Sequence, residues 1–267
     1  VSIEAVADVL SDKTWLVLTG AGVSTDSGIP DYRGPGSPPR HPMTYQEFIA
    51  TPQARQRYWA RAHVGWANMT GAEPNTTHRL LAERERAGGL SGLITQNVDG
   101  LHERAGHRDV VDLHGRLDRV VCLDCGTRSP RQRLHERLEA LNPGYAERSA
   151  VIAADGDALL EETSDFVVAP CQVCGGRLKP DVVFFGESVA KPVVEHCFAL
   201  TESAEVLLVL GSSLQVMSGL RFVRRAAKVG VPVVIVNRGT TRGDDLATVK
   251  LEAGVAETLT ALEPVGV

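Results

Sequence analysis

Aromatic residues are scarce: six Phe, three Trp and four Tyr in 267 residues. Beside 26 glycines, that scarcity favours an α/β architecture over an aromatic-rich β-sandwich. Long apolar runs are missing as well. Val206–Leu210 and Val231–Val236 stop far short of the ~20 residues that a spanning helix needs, so no membrane insertion is expected. The N-terminus has no basic segment followed by an apolar stretch, the pattern of an export signal, and a cytoplasmic protein is expected. Positive charge is in deficit: 28 Lys and Arg against 33 Asp and Glu give a net charge of −5. An electrostatic nucleic-acid binder usually carries the opposite sign. Internal repeats and low-complexity tracts are absent. What is present is ordinary globular usage, 43% hydrophobic and 23% charged. The length suits one large or two modest domains.

Cysteine is sparse but patterned. Four of the five cysteines form two pairs, Cys122-Leu-Asp-Cys125 and Cys171-Gln-Val-Cys174, each followed by glycine (Gly126, Gly175). Such a turn lets two thiolates converge on one metal, and two turns complete a tetrahedral Zn–S site. Two disulfides or a redox dithiol are the competing readings. A redox motif needs only one pair, and disulfides fit poorly with a chain lacking an export signal. One structural Zn2+ on Cys122, Cys125, Cys171 and Cys174 is therefore expected. A catalytic zinc would need an open position, which four cysteines do not leave. Cys197 lies alone in an apolar helical stretch and reads as a core residue.

Short apolar runs recur at Thr14–Thr19, Leu90–Thr95, Val110–Leu113, Val182–Phe185, Val206–Leu210 and Val231–Val236. Almost none alternates, which suits strands buried on both faces of a parallel sheet. Between them lie helical patterns at Asn75–Ala87, Ala190–Thr201, Ser218–Val229 and Val255–Leu262. The alternation predicts a Rossmann-like α/β domain with a helix-covered parallel sheet. Two segments break the rhythm. Residues 36–70 run from a Pro/Gly-rich loop into an Arg-rich helix (Gln53–Ala67), and residues 116–180 hold the paired cysteines and a helical pattern at Gln132–Leu141. They predict a smaller zinc-binding and helical module inserted into a sheet domain made of 1–35, 71–115 and 181–267. The acidic stretch Ala153–Asp165, with Asp155-Gly156-Asp157, lacks calcium-loop spacing and reads as a solvated loop.

Gly20-Ala21-Gly22 follows the first strand, where glycines let backbone N–H groups approach a pyrophosphate. The third glycine of the usual fingerprint is replaced by Thr25, so the motif alone is weak. Three more strand ends strengthen it: Gln96-Asn97-Val98-Asp99, Gly211-Ser212-Ser213 and Asn237. Each could be a simple cap. Together they suit a ribose- and phosphate-bearing ligand at the carboxyl ends of parallel strands. His114 follows a short strand and fits a general base near neutral pH, although a lone histidine is more often structural.

These residues resemble the sirtuins. The resemblance rests on Gly20-Ala21-Gly22-Val23-Ser24, Ser27-Gly28-Ile29-Pro30-Asp31-Tyr32-Arg33, Thr95-Gln96-Asn97-Val98-Asp99 and Leu113-His114-Gly115, followed by the two Cys-x-x-Cys pairs. Lys179-Pro180-Asp181-Val182-Val183-Phe184-Phe185-Gly186-Glu187, Gly211-Ser212-Ser213 and Asn237 follow in sirtuin order, so nearly the whole chain is covered. Arg57-Tyr58-Trp59-Ala60-Arg61, Leu123-Asp124-Cys125-Gly126 and Gly243-Asp244-Asp245-Leu246-Ala247 resemble the class II branch, which includes an animal mitochondrial member.

The resemblance implies an NAD-dependent protein-lysine deacylase that acts on an acyl-lysine protein or peptide, works as a monomer and moves the acyl group to ADP-ribose. It implies NAD contacts at Gly20, Ala21, Gly22, Asp31, Tyr32, Arg33, Gln96, Asn97, Asp99 and His114. Further contacts would come from Gly211, Ser212, Ser213, Asn237, Arg238, Gly239 and Val255. Catalysis would fall to His114, as base for a ribose hydroxyl, with Asn97. Val183, Phe184 and Phe185 would border the acyl-lysine tunnel, and the peptide would add as an extended strand. Tyr58 and Arg61 share a helix face and resemble the Tyr-x-x-Arg pair of sirtuins that remove succinyl or glutaryl groups. The plainer reading of Arg61, beside Arg55 and Arg57, is a solvated face. Acetyl, hydroxymethylglutaryl and lipoyl groups are also compatible. Two other functions compete: a mono-ADP-ribosyltransferase, and a zinc-ribbon binding module without catalysis.

Overall fold

The computed structural model describes residues 1–31, 42–148, 150–151, 157–160 and 162–262. Nine strands lie along them: β1 (Trp15–Thr19), β2 (Leu90–Thr95), β3 (Val110–Asp112), β4 (Gly115–Cys122), β5 (Arg128–Pro130), β6 (Leu178–Val182), β7 (Val206–Leu210), β8 (Val233–Val236) and β9 (Val249–Leu251). The helices are α1 (Ile3–Leu10), α2 (Tyr45–Ala50), α3 (Pro52–Gly71), α4 (Thr76–Arg86), α5 (Leu101–Arg104), α6 (Arg131–Leu141), α7 (Lys191–Ser203), α8 (Met217–Val229) and α9 (Val255–Leu262). Six strands form one parallel sheet in the order β3-β2-β1-β7-β8-β9. The chain runs outward from β1 in one direction and then from β7 in the other. The order therefore reverses at the β1/β7 seam, where open α/β sheets bind ligands.

Period-two alternation within continuous apolar strands explains the two cores. Leu16, Leu18, Leu207, Val209, Val233 and Ile235 face Cys197 of α7 and Leu220, Phe222 and Val223 of α8. Trp15, Val17, Val206, Leu208, Val234 and Val236 face Val6 of α1, Leu81 of α4 and Leu259 of α9. Every residue of β1, β7 and β8 is buried, so these strands cannot alternate in polarity.

The second sheet is antiparallel, in the order β5-β4-β6. Its core gathers Phe48, Trp59, Val120, Leu134 and Leu138 from α2, α3, α6 and the second sheet, with Phe166 from the loop before β6. Here the structure corrects one expectation. Val182–Phe185 is not a strand of the parallel sheet: β6 ends at Val182 and pairs with β4. Beyond it, Glu187 Oε2 accepts the Phe184 N–H at 2.8 Å and Gly186 turns at φ +84°, so the chain folds back instead of extending. Lys179, 4% exposed, clamps this turn through Glu187 at 2.9 Å. Six further elements went unpredicted: α1, α2, α5, β4, β5 and β9. Tyr32 and Arg33 lie outside the described residues, as does most of the Asp155-Gly156-Asp157 loop. No helix among the described residues is long and apolar enough to cross a membrane.

Candidate active site and metal centre

The carboxyl ends of β1, β2, β7 and β8 open onto one cavity of about 660 Å³, within the usual range for small-molecule sites. Gly20, Ala21, Gly22, Asp31, Gln96, Asn97, Asp99, His114, Gly211, Ser212, Ser213, Asn237, Arg238 and Gly239 all line it. Val255 does not: its side chain is buried in the core at the start of α9. Tyr58, Val183, Phe184 and Phe185 line the cavity as well. Tyr58 is packed 5.3 Å, centroid to centroid, from both Phe48 and Phe184.

The β1/β7 seam is closed by backbone. Gly22 N–H donates to Gly211 C=O at 2.9 Å, and Gly20 N–H to Leu210 C=O at 3.0 Å. Gln96 Nε2 spans the same seam to Thr19 C=O and to Ser212 Oγ. Asn97 Nδ2 donates to Gly20 C=O at 3.0 Å and to Ser24 Oγ at 3.1 Å. Ser24 Oγ donates in turn to Asp99 Oδ2 at 2.7 Å, and Leu101 N–H caps Asp99 Oδ1 at 2.9 Å. Burial nevertheless pushes the Asp99 carboxyl above its ordinary range, against those two hydrogen bonds and the nearby arginines. A carboxyl group and an amide held side by side in this way suit a carboxamide ligand, which both donates and accepts.

His114 has a defined tautomer. Its Nδ1 lies 2.8 Å from Gln96 C=O, and a carbonyl only accepts, so Nδ1 carries the proton. Nε2 is therefore the basic atom, and it accepts from Ser218 Oγ at 2.7 Å. Burial holds His114 below its usual pKa, despite the Gln96 carbonyl. The ring is thus neutral at pH 7 and able to take a proton. Ser218, at the first turn of α8, carries no motif that would have marked it beforehand. Ser24 was visible only as part of a motif.

Arg61 departs from its expected place. Its Nε and Nη2 both donate to Leu160 C=O, at 3.1 and 2.7 Å, and it is not among the residues lining the cavity. Tyr58 and Arg61 share a helix, but only Tyr58 faces the site.

The four paired cysteines converge. Their Sγ atoms all lie within 4.8 Å of one another, and all are free thiols. Cys122 and Cys174 are 3.6 Å apart, Cys125 and Cys171 3.9 Å. A tetrahedron with Zn–S of about 2.3 Å places its sulfurs ~3.8 Å apart, so the donor set fits zinc. The two turns match each other: Gly126 N–H donates to Cys122 C=O and Gly175 N–H to Cys171 C=O, both at 2.9 Å. Both glycines sit at φ +73°, where a side chain would be strained. Asp124 and Arg177 pair across the turns, Arg177 N–H donating to Asp124 Oδ2 at 2.6 Å.

Residues 20–218 match the model of the Sir2 family. The chain belongs to the Sir2 family. Within it, the chain is 56% identical over 259 residues to NAD-dependent protein deacetylase 1 of Mycobacterium avium (strain 104), covering 95% of this chain and 92% of that one. It is 46% identical over 259 residues to the human NAD-dependent protein lipoamidase sirtuin-4, mitochondrial, covering 94% and 82%. A solved Sir2–p53 peptide–NAD+ structure aligns with a TM-score of 0.79 at 32% identity, over 98% of this chain and 97% of that one. The Sir2 assignment accounts for the parallel sheet, the cavity at its reversal point and the cysteine pairs together.

Proposed function

We propose that this Sir2 family chain is an NAD-dependent protein-lysine deacylase, which transfers the acyl group of a modified lysine to ADP-ribose and releases nicotinamide. The observation that carries the reading is His114: a neutral base of fixed tautomer, its Nε2 in a cavity at the sheet's reversal point. Bound NAD supplies the ribose that accepts the acyl group. The cavity's strand-end glycines, serines and amides fit such a ligand in size and polarity. Asn97 and Asp99 hold the nicotinamide end; Ser212, Ser213 and Asn237 hold the adenosine end. Gln96 C=O keeps the proton on Nδ1, so His114 Nε2 is ready to accept one from a ribose hydroxyl. Ser218 makes the same donation in the resting protein. Tyr58, Val183, Phe184 and Phe185 wall the acyl-lysine and keep water away. Phe185 also bridges to Thr44 in parallel, an arrangement in keeping with a peptide lying extended nearby.

His114→Gln tests the assignment, since Gln can still donate to the Gln96 carbonyl. Loss of general-base catalysis should lower acetyl-lysine turnover about 10²–10⁴-fold, with zinc content and melting temperature retained. Turnover within a few-fold of wild type would remove His114 from the chemistry. We further propose a cytoplasmic monomer. Thiols that ligate zinc must stay reduced, which a reducing compartment provides. The domain division at 36–70 and 116–180 is proposed on the same footing, supported by the separate core of the second sheet.

A further inference from the structure

We infer that Arg131, not Arg61, reads the far end of the acyl chain, and that the favoured chain ends in a carboxylate. This rests on the deacylase reading above. Arg131 is the first residue of α6 and is 2% exposed. Its guanidinium lies against two indoles, 5.2 Å from the Trp59 ring and 4.8 Å from that of Trp66. Nη2 donates to Ala62 C=O at 3.2 Å, while Nη1 has no hydrogen-bond partner. Burial lowers its pKa to about 10, which still leaves the group charged at pH 7. A buried cationic donor with no acceptor is among the costliest unsatisfied groups a fold can carry. In a native protein such a group is met by a water, an ion or a ligand, and a ligand oxygen would displace the water.

The surroundings say which route that acceptor takes. Arg131 lines an annex of about 10 Å³ whose walls include Tyr58, Met69, Leu117 and Asp157. Those same four residues line the main cavity. The annex is therefore a side pocket of the acyl-lysine site, with room for about one water. An acyl chain would lie in the main cavity and place only its terminal oxygens at the annex. Asp157 also acts on Arg131 electrostatically. The guanidinium keeps a directional donor free, which favours a carboxylate over an apolar terminus. Arg61 cannot serve in this conformation, because the Leu160 carbonyl holds both Nε and Nη2.

The test compares one peptide carrying acetyl-, pentanoyl- or glutaryl-lysine, read as kcat/KM for NAD-dependent nicotinamide release. Pentanoyl and glutaryl chains have the same backbone length and differ in the terminal carboxylate. The wild type should prefer glutaryl over pentanoyl by about tenfold or more, as expected of a site built around a polar contact. Arg131→Met should collapse that ratio by about tenfold, and Arg131→Lys should retain part of it. Zinc content and melting temperature report folding; if the Met variant does not fold, the wild-type and Lys ratios decide. A wild-type ratio near one overturns the proposal, as does a ratio unchanged in a folded variant. Turnover of acetyl or pentanoyl peptide without glutaryl preference sinks only the Arg131 assignment. No nicotinamide release from any of the three sinks the deacylase reading, and this inference with it.

Discussion

Gly211→Ala offers a quantitative test of how the β1/β7 seam is built. Gly211 sits at φ +57°, and a Cβ there would come 2.7 Å from Val23 N and 2.8 Å from Gly22 C. Both are backbone atoms, so no side chain can swing aside. The loop must retreat by about 0.7 Å to reach an ordinary contact near 3.4 Å. The left-handed conformation costs about 1–2 kcal/mol for a residue with a Cβ, and the overpacking adds about 1–3 kcal/mol. Gly88→Ala separates the two, because Gly88 has φ +77° with nothing within 4 Å of its Cβ position. At roughly 2–4 °C per kcal/mol for a chain of this size, Gly88→Ala should melt roughly 2–8 °C below wild type. Gly211→Ala should melt several degrees lower again. It should also raise KM for NAD, since the retreat stretches the 2.9 Å Gly22–Gly211 hydrogen bond that shapes the cavity floor. Calorimetry and a titration of NAD against nicotinamide release measure both effects. Equal melting points for the two variants would refute the packing argument. An unchanged KM with a lowered melting point would confine the seam to a structural role.

The same structure fixes two responses to pH. Removing the Ser218 hydroxyl takes away a donor that favours the neutral form of His114. At about 0.5–1.5 kcal/mol for such a bond, Ser218→Ala should move the acid limb of kcat/KM, which reports the free enzyme, upward by as much as about one pH unit; an unmoved limb would mean that the hydroxyl does not donate to Nε2. The second response is stability in acid. His78 is fully buried and held at about 4, chiefly by burial, so the unfolded chain binds the proton first. Stability should therefore rise with pH between about 4 and 6.5, and His78 alone should cost about 2 kcal/mol at pH 5 relative to neutral pH. Denaturant titrations at pH 5 and 7 check this, and a flat profile would contradict the neutral assignment.

How much was legible beforehand depended on the kind of signal. The all-buried strands β1, β7 and β8 announce themselves because both faces need apolar residues. The cysteine pairs are equally plain, since metal geometry dictates the spacing. Val182–Phe185 misled because an apolar run does not state its partner: the Lys179–Glu187 clamp that bends it is a tertiary contact. β9 is only three residues long and follows no apolar run. Arg61 and Arg131 show the limit most clearly. Periodicity put Arg61 on the same helix face as Tyr58, yet its guanidinium is drawn to a carbonyl 99 residues away. Arg131 stands one residue before the helical pattern at Gln132–Leu141 and carries no expectation of its own, yet two tryptophans cover it.

The two cysteine turns bracket more than a metal. Between Cys125 and Cys171 the chain carries α6 with Arg131, and then Asp157 at the edge of the cavity. A four-sulfur site that ties both ends of this segment works as a clasp on a long loop, and the loop's freedom falls when the clasp shuts. The metal takes no part in bond breaking, yet it restrains the wall against which an acyl chain is measured. On the Arg131 proposal, selectivity for the chain's far end would become a mechanical property of a thiolate cluster elsewhere in the fold, while His114 is held by the strand ends of the other sheet.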